Sequence, residues 1–196
     1  MSGSSTAQYT RPADQNIINR VNEHKKNRPV AGSAFPDPDP KIFLTRYNKE
    51  GLTETFYPAG ELKGLRVVMF TVPGAWTKTC TKQHLAGFKE AADKIFKSGI
   101  RKIICVCPDK VDVAKAWNDE KGDPRIEMWA DNEGKLTDAL GFGLNMSGDR
   151  AQGMGMVRTA AVINNGNYEW LEIEGDPREC VISHATNVLK HLGDKG

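Results

Sequence analysis

One cysteine in this chain is placed to do chemistry. Cys80 lies in Pro73-Gly74-Ala75-Trp76-Thr77-Lys78-Thr79-Cys80-Thr81-Lys82-Gln83-His84-Leu85-Ala86-Gly87-Phe88. The apolar run Val67-Val68-Met69-Phe70 before it reads as a buried strand, and Leu85, Phe88, Ala92 and Ile95 after it recur at helical spacing. Cys80 therefore belongs in or beside the first turn of a helix leaving a strand end. Helix N-termini carry unpaired N–H groups and a partial positive charge, which favour an anion. A thiol there tends towards thiolate, the nucleophilic form. An ordinary thiol with a pKa of about 8.5 is only about 3% thiolate at pH 7, whereas one at about 6 is about 90% thiolate. The plain alternative is a buried structural Cys, since free Cys is among the most buried residue types.

The neighbours of Cys80 have double readings too. Thr77 has the spacing of an N-cap, with Cys80 three residues on. Pro73-Gly74 is a common turn signal. His84 falls one helical turn after Cys80 and suggests a base. Far along the chain, Arg158 opens the apolar run Thr159-Ala160-Ala161-Val162-Ile163, which Asn165-Gly166 closes with a strong hairpin signal. An Arg before a strand is usually a solvated strand end.

The pattern Pro73-x-x-x-Thr77-x-x-Cys80 resembles the active site of the peroxiredoxins. With Gly74, Ala75, His84-Leu85 and Gly87-Phe88, the longer string is similar to the type II or peroxiredoxin-5-like branch, and the resemblance runs from about Val30 to the C-terminus. It implies a thiol-dependent peroxidase in which Cys80 attacks a peroxide and becomes a sulfenic acid. The Thr77 hydroxyl and the Cys80 N–H would orient the peroxide, Pro73 would shelter the sulfur, and Arg158 would supply positive charge. The family does not use His84 as a base, so it is read as a packing or polar-network residue. Lys78, Trp76 and Ala86 depart from the branch, which usually has Pro, Phe and Pro there. Lysine gives up the rigidity that proline lends a helix start.

The resemblance also offers ways to resolve the sulfenic acid. Cys105 lies 25 residues after Cys80, as does the second Cys of many plant-type members. Cys180 is near the position of the C-terminal resolving Cys of animal-type members, with a different offset from the following helix. An external thiol, Cys105 and Cys180 are taken in that order.

The remaining cysteine is Cys107. Without a secretory signal pattern at the start, structural disulfides are not expected. There is no Cys-x-x-Cys for a disulfide reductase, and Cys105-x-Cys107 lies in a strand, which argues against a metal site; the peroxidase that the resemblance implies needs neither metal nor organic cofactor. A net charge of +2 with dispersed Lys and Arg argues against nucleic acid, and no apolar run approaches the roughly 18 residues of a membrane span. Residues 1–29 are polar. Ile17, Ile18 and Val21 could line a short amphipathic helix between Asp14 and Lys26. Arg11, Arg20 and Arg28 suggest a transit peptide, but Asp14 and Glu23 count against it. The expectation is an N-terminal extension over 1–29 and one domain over 30–196, in the cytoplasm, with the mitochondrion as the alternative.

Past the active-site helix, strands are expected at Lys102–Cys107 and Ile126–Trp129 and a helix at Val111–Glu120. A short helix about Leu136–Leu140, a hairpin near 158–163 and 168–173, and a last helix carrying Val181, Ala185, Val188, Leu189 and Leu192 follow. That order fits an α/β central sheet covered on both faces, and the resemblance makes it thioredoxin-like, with a mixed sheet. The leading reading is a peroxidase for hydrogen peroxide and organic hydroperoxides, recycled by thioredoxin, glutaredoxin or glutathione and forming a homodimer. The other is a thioredoxin-fold peroxide sensor that passes oxidation to a partner protein.

Overall fold

The structure, a computed structural model, describes residues 27–36, 41–146 and 154–193. Three apolar runs make its centre: β3 (Arg66–Thr71), β4 (Lys102–Cys107) and β5 (Ile126–Ala130). They pair in parallel, with Phe70 opposite Cys105 and Cys105 opposite Met128. Parallel neighbours need crossover connections. These are α2 (Ala86–Lys97), with the helical segment leading into it, and α3 (Val111–Lys121). On the other side of β3, the hairpin of β8 (Thr159–Asn164) and β9 (Asn167–Ile173) adds antiparallel strands. Its two-residue turn has φ of 48° at Asn165 and 76° at Gly166. A type I′ turn needs positive φ at both positions, and Asn-Gly tolerates that best.

The far edge is completed by β1 (Leu44–Tyr47) and β2 (Thr53–Phe56), giving the order β2-β1-β5-β4-β3-β8-β9. A separate ribbon joins β6 (Gly143–Asn145) to β7 (Met154–Met156). Short helices α1 (Pro58–Glu61), α4 (Lys135–Ala139) and α5 (Ala185–His191) complete the fold.

Strand alternation divides the core in two. Val68 and Phe70 of β3 pack with Phe88 and Ile95 of α2, Trp117 of α3 and Val188 of α5. Val67 and Met69 face the other way, onto Leu136 of α4, Leu144 of β6 and Met156 of β7. The mixed sheet is thus covered on both faces, as expected. A fully buried Phe or Ile contributes roughly 1.5–3 kcal/mol, while helix propensities differ by under about 1 kcal/mol per residue. Phe88 and Ile95 therefore fix α2 on the sheet more firmly than its own propensity does.

The strands and helices that the sequence led one to expect are present to within a residue or two, with one exception, while β1, β2, α1, β6 and β7 were not expected. The last helix starts at Ala185, and Val181 is 62% exposed in the loop before it. The Val181 and Ser183 N–H groups are taken by the Glu174 carboxylate, and the helix is capped three residues after Val181 by His184, whose Nδ1 accepts the Thr186 N–H at 3.3 Å. Of the extension 1–29 only Asn27–Pro29 is described, with Arg28 Nε donating to the Gly141 carbonyl at 2.8 Å. The amphipathic stretch with Ile17, Ile18 and Val21 lies outside the described residues.

Candidate active site

Register brings Cys80 and Arg158 together. Thr71 closes β3 opposite Thr159, which opens β8. The Thr71 hydroxyl donates to the Val157 carbonyl at 2.6 Å and lies 2.8 Å from the Thr159 hydroxyl. The chain leaving β3 towards Cys80 and the chain entering β8 through Arg158 therefore meet at one end of the sheet.

The connecting loop is pinned at several points. Pro73 is buried, and at Gly155 in β7 a Cβ would come within 2.9 Å of the Pro73 carbonyl oxygen, so only glycine allows that approach. The Ala75 N–H donates to the buried Asp109 carboxylate at 2.7 Å. Trp76 is left-handed, with φ of 62°, a conformation that costs a non-glycine residue roughly 1–2 kcal/mol. The Thr77 hydroxyl turns back to the Gly74 carbonyl at 3.2 Å, so Thr77 does not use its side chain as an N-cap. Its own carbonyl accepts the Thr81 N–H at 2.9 Å, which starts the helix. Lys78, beside it, is exposed.

Cys80–Leu85 is wound as a π-helix before α2 begins at Ala86. Such wide turns are uncommon and concentrate at functional sites. Here it buries Cys80, His84 and Leu85 together.

Cys80 is fully buried and Arg158 is 1% exposed. Arg158 Nη2 donates to the Cys80 sulfur at 3.3 Å and to the Pro177 carbonyl at 2.8 Å; Nε reaches the same carbonyl at 3.2 Å. Nη1 lies 3.2 Å from His84 Nδ1. A guanidinium only donates, so Nδ1 is the acceptor and the His84 proton resides on Nε2, 3.1 Å from the Ser183 carbonyl. The ring also packs edge-on to Phe70 and at a tilt to Phe88. Burial, reinforced by the Arg158 charge, holds the His84 pKa well below its ordinary value. Neutral His84 is part of a polar network.

Among the described residues no carboxylate forms an ion pair with Arg158. The Cys80 sulfur, at 3.3 Å, completes the polar shell around this buried cation. Cys105, Cys107 and Cys180 are held as thiols. Burial pushes Cys105 and Cys107 far up, and it pushes Cys180 up to about 11 even though Arg158 acts in the opposite direction. The Cys107 thiol donates to Asp109 at 3.1 Å. All four cysteines are unpaired. Cys105 lies in the middle of β4, and Cys180 in the loop between β9 and α5.

Pro73, Thr77, Cys80 and Arg158 thus share one end of the sheet. Sequence reasoning missed Pro177, Ser183 and Asp109. The first two act through backbone carbonyls, which leave no residue signature, and Asp109 stands just past the expected strand Lys102–Cys107 with no motif of its own.

The redoxin family profile matches residues 31–189. The chain is 33% identical over 168 residues to Peroxiredoxin-2E-2, chloroplastic, of Oryza sativa subsp. japonica, covering 83% of this chain and 74% of that one. It is 32% identical over 166 residues to Peroxiredoxin-2C of the same plant, covering 84% of this chain and 99% of the relative. This chain belongs to the peroxiredoxins. Among solved structures, reduced Prx3 of Vibrio vulnificus in complex with H2O2 superposes with a TM-score of 0.76 at 30% identity, covering 84% of this chain and 99% of that one. The fold is thioredoxin-like, and the peroxiredoxin is a thiol-dependent peroxidase that takes peroxides and is recycled by thiol reductants. No helix among its described residues is long and apolar enough to cross a membrane.

Proposed function

We propose that Cys80 is the peroxidatic nucleophile, acting on hydrogen peroxide and organic hydroperoxides. The observation that carries this reading is the 3.3 Å contact between its sulfur and a buried guanidinium that has no carboxylate partner among the described residues. The thiolate attacks one peroxide oxygen and the O–O bond breaks. The sulfur becomes a sulfenic acid, and the departing oxygen takes a proton and leaves as water or alcohol. Arg158 stabilises the thiolate and the charge that develops on the departing oxygen. The Thr77 hydroxyl has its proton engaged by Gly74, so its lone pairs are left to accept a peroxide O–H. The Cys80 N–H, in the first helical turn, is placed to donate to the other oxygen. Pro73 walls the site. Donors aimed at developing charge in a dry pocket usually contribute more to catalysis than any other single effect. The capture of H2O2 by the Vibrio relative supports the same substrate here.

An external thiol then attacks the sulfenic acid, releasing water, and a second thiol frees Cys80. Thioredoxin, glutaredoxin and glutathione are the candidate donors. Cys180 lies in a loop, while Cys105 is paired on both sides within the sheet. A bond to Cys180 would disturb less structure, which places it ahead of Cys105 as an internal resolving residue. We assign the catalytic domain to 30–196, supported by the start of the redoxin match at 31. The protomer forms a homodimer through the active-site face, where Trp76, Val181 and Ile182 are exposed. We place the protein in the cytoplasm, with the mitochondrion as the alternative. Peroxide consumption measured in parallel with the three reductant systems tests the reading. Sustained turnover with one of them is expected; a single oxidation with no recycling by any of them would instead mark a sensor.

A further inference from the structure

The loop between β9 and α5 supplies most of the acceptors around the site. The Pro177 carbonyl takes two N–H groups of Arg158, the Arg178 carbonyl takes the Thr79 hydroxyl at 2.8 Å, and the Ser183 carbonyl takes the ring N–H of His84. No helix or strand ladder holds these carbonyls in place. Two acidic residues hold the loop: Asp176, whose carboxylate accepts the Arg178 N–H at 2.9 Å, pins the Pro177 end, and the Ser183 end is pinned by Glu174, which is 4% exposed. Its Oε1 accepts the Val181 N–H at 2.6 Å, and the Ser183 N–H and Ser183 hydroxyl at 2.9 Å each. The Glu174 N–H donates to the Arg158 carbonyl at 2.9 Å, so the loop springs from beside the arginine it later clamps. From the other side, Asn187 Nδ2 donates to the Val181 and Ile182 carbonyls at 2.7 and 3.1 Å.

We infer that Glu174 is a positioning residue of the peroxidase: its carboxylate fixes the Ser183 end of the loop, so that the Ser183 carbonyl sets the His84 ring and, through it, the Arg158 guanidinium beside Cys80. The inference rests on the reading of Arg158 as the partner of the Cys80 thiolate. Hydrogen bonds to an ionised acceptor are about twice as strong as neutral ones, and three converge on one buried oxygen. Without them the Ser183 carbonyl is free to move, and the His84 ring it holds, against which the guanidinium rests at 3.2 Å, moves with it. Misplacing a reacting group by about 1 Å can cost roughly 100-fold in rate. Cys180 lies within the clamped stretch, so the same carboxylate limits its access.

The test compares Glu174→Ala, Glu174→Gln and Arg158→Ala in the full chain. Three readings are taken: thiolate ultraviolet absorbance at neutral pH, single-turnover oxidation by hydrogen peroxide, and alkylation of Cys180 followed by peptide mapping. Glu174→Ala should lower the thiolate signal, slow oxidation roughly 10- to 100-fold and speed alkylation of Cys180. Glu174→Gln keeps an acceptor oxygen and should return oxidation to within about three-fold of wild type. Should Glu174→Ala not fold, Glu174→Asp, which draws the oxygen back by one methylene, gives the same three readings. Wild-type thiolate signal and oxidation rate in Glu174→Ala, with both reduced in Arg158→Ala, would overturn the role of Glu174 alone. Unchanged values in Arg158→Ala would remove the reading of Arg158 and this inference with it.

Discussion

Arg158 is a buried cation whose neighbours, apart from one sulfur, are neutral: a carbonyl and an imidazole. In the proposed mechanism that charge is available to stabilise the thiolate form of the nucleophile. Arg158→Ala should therefore lower the thiolate absorbance of the protein at neutral pH and slow single-turnover oxidation by about 100-fold, comparable with losing one electrostatic donor. An unchanged ultraviolet titration would return Arg158 to a structural role. His84 carries a second consequence. Its pKa is depressed by burial in the folded protein, so below about 6.5 the unfolded chain binds a proton that the folded one does not. Stability contributed by the neutral ring is present above that pH and is lost as pH falls through it, with a slope of up to about 1.4 kcal/mol per pH unit. Thermal melts between neutral and acidic pH should show this loss in the wild type and a shallower one in His84→Gln; parallel curves would show that another group governs it.

At the scale of elements, the site is a loop and a widened helical turn held between a strand end and the loop that follows the hairpin. Lys78 is exposed at the helix start, where proline is well tolerated. Lys78→Pro should keep peroxidase activity within about two-fold, because it removes no group from the site and presets the first turn. A large loss would show instead that the ammonium recruits peroxide or reductant. Much of this arrangement was legible in the sequence because it is local. The apolar run before Cys80 and the Leu85, Phe88, Ala92, Ile95 stripe after it place the cysteine between strand and helix. The π-helical winding was not legible, since that stripe has ordinary α-helical spacing and starts only where the π segment ends. β1 and β2 escaped notice because Arg46, Glu54 and Thr53 interrupt any apolar alternation. Their pairing is fixed in space by Arg46, which bridges to Glu54 at 2.6 Å and to Glu61 at 2.9 Å. Val181 was drawn into the last helix by its spacing, because the competing claim of Glu174 on its N–H lies seven residues upstream.

For the whole molecule, the open matter is how oxidised Cys80 is recycled. A disulfide needs Cα atoms within about 7 Å, and all four cysteines are buried and unpaired in the reduced chain. On the external-thiol reading, one equivalent of peroxide should leave no internal disulfide, and excess peroxide should drive Cys80 on to sulfinic acid, because nothing internal traps the sulfenic acid. Intact-mass and peptide analysis checks this, and a Cys80–Cys180 or Cys80–Cys105 bond formed in high yield would mean an internal resolving cysteine. Either outcome presupposes that the chemistry begins at Cys80. The most direct measurement of that claim is peroxide consumption by Cys80→Ser beside the wild type, each with a saturating thiol reductant. A serine hydroxyl is a far weaker nucleophile at neutral pH. The wild type should turn over and the variant should consume peroxide no faster than reductant alone; catalysis persisting in Cys80→Ser would contradict the assignment of Cys80 as the nucleophile.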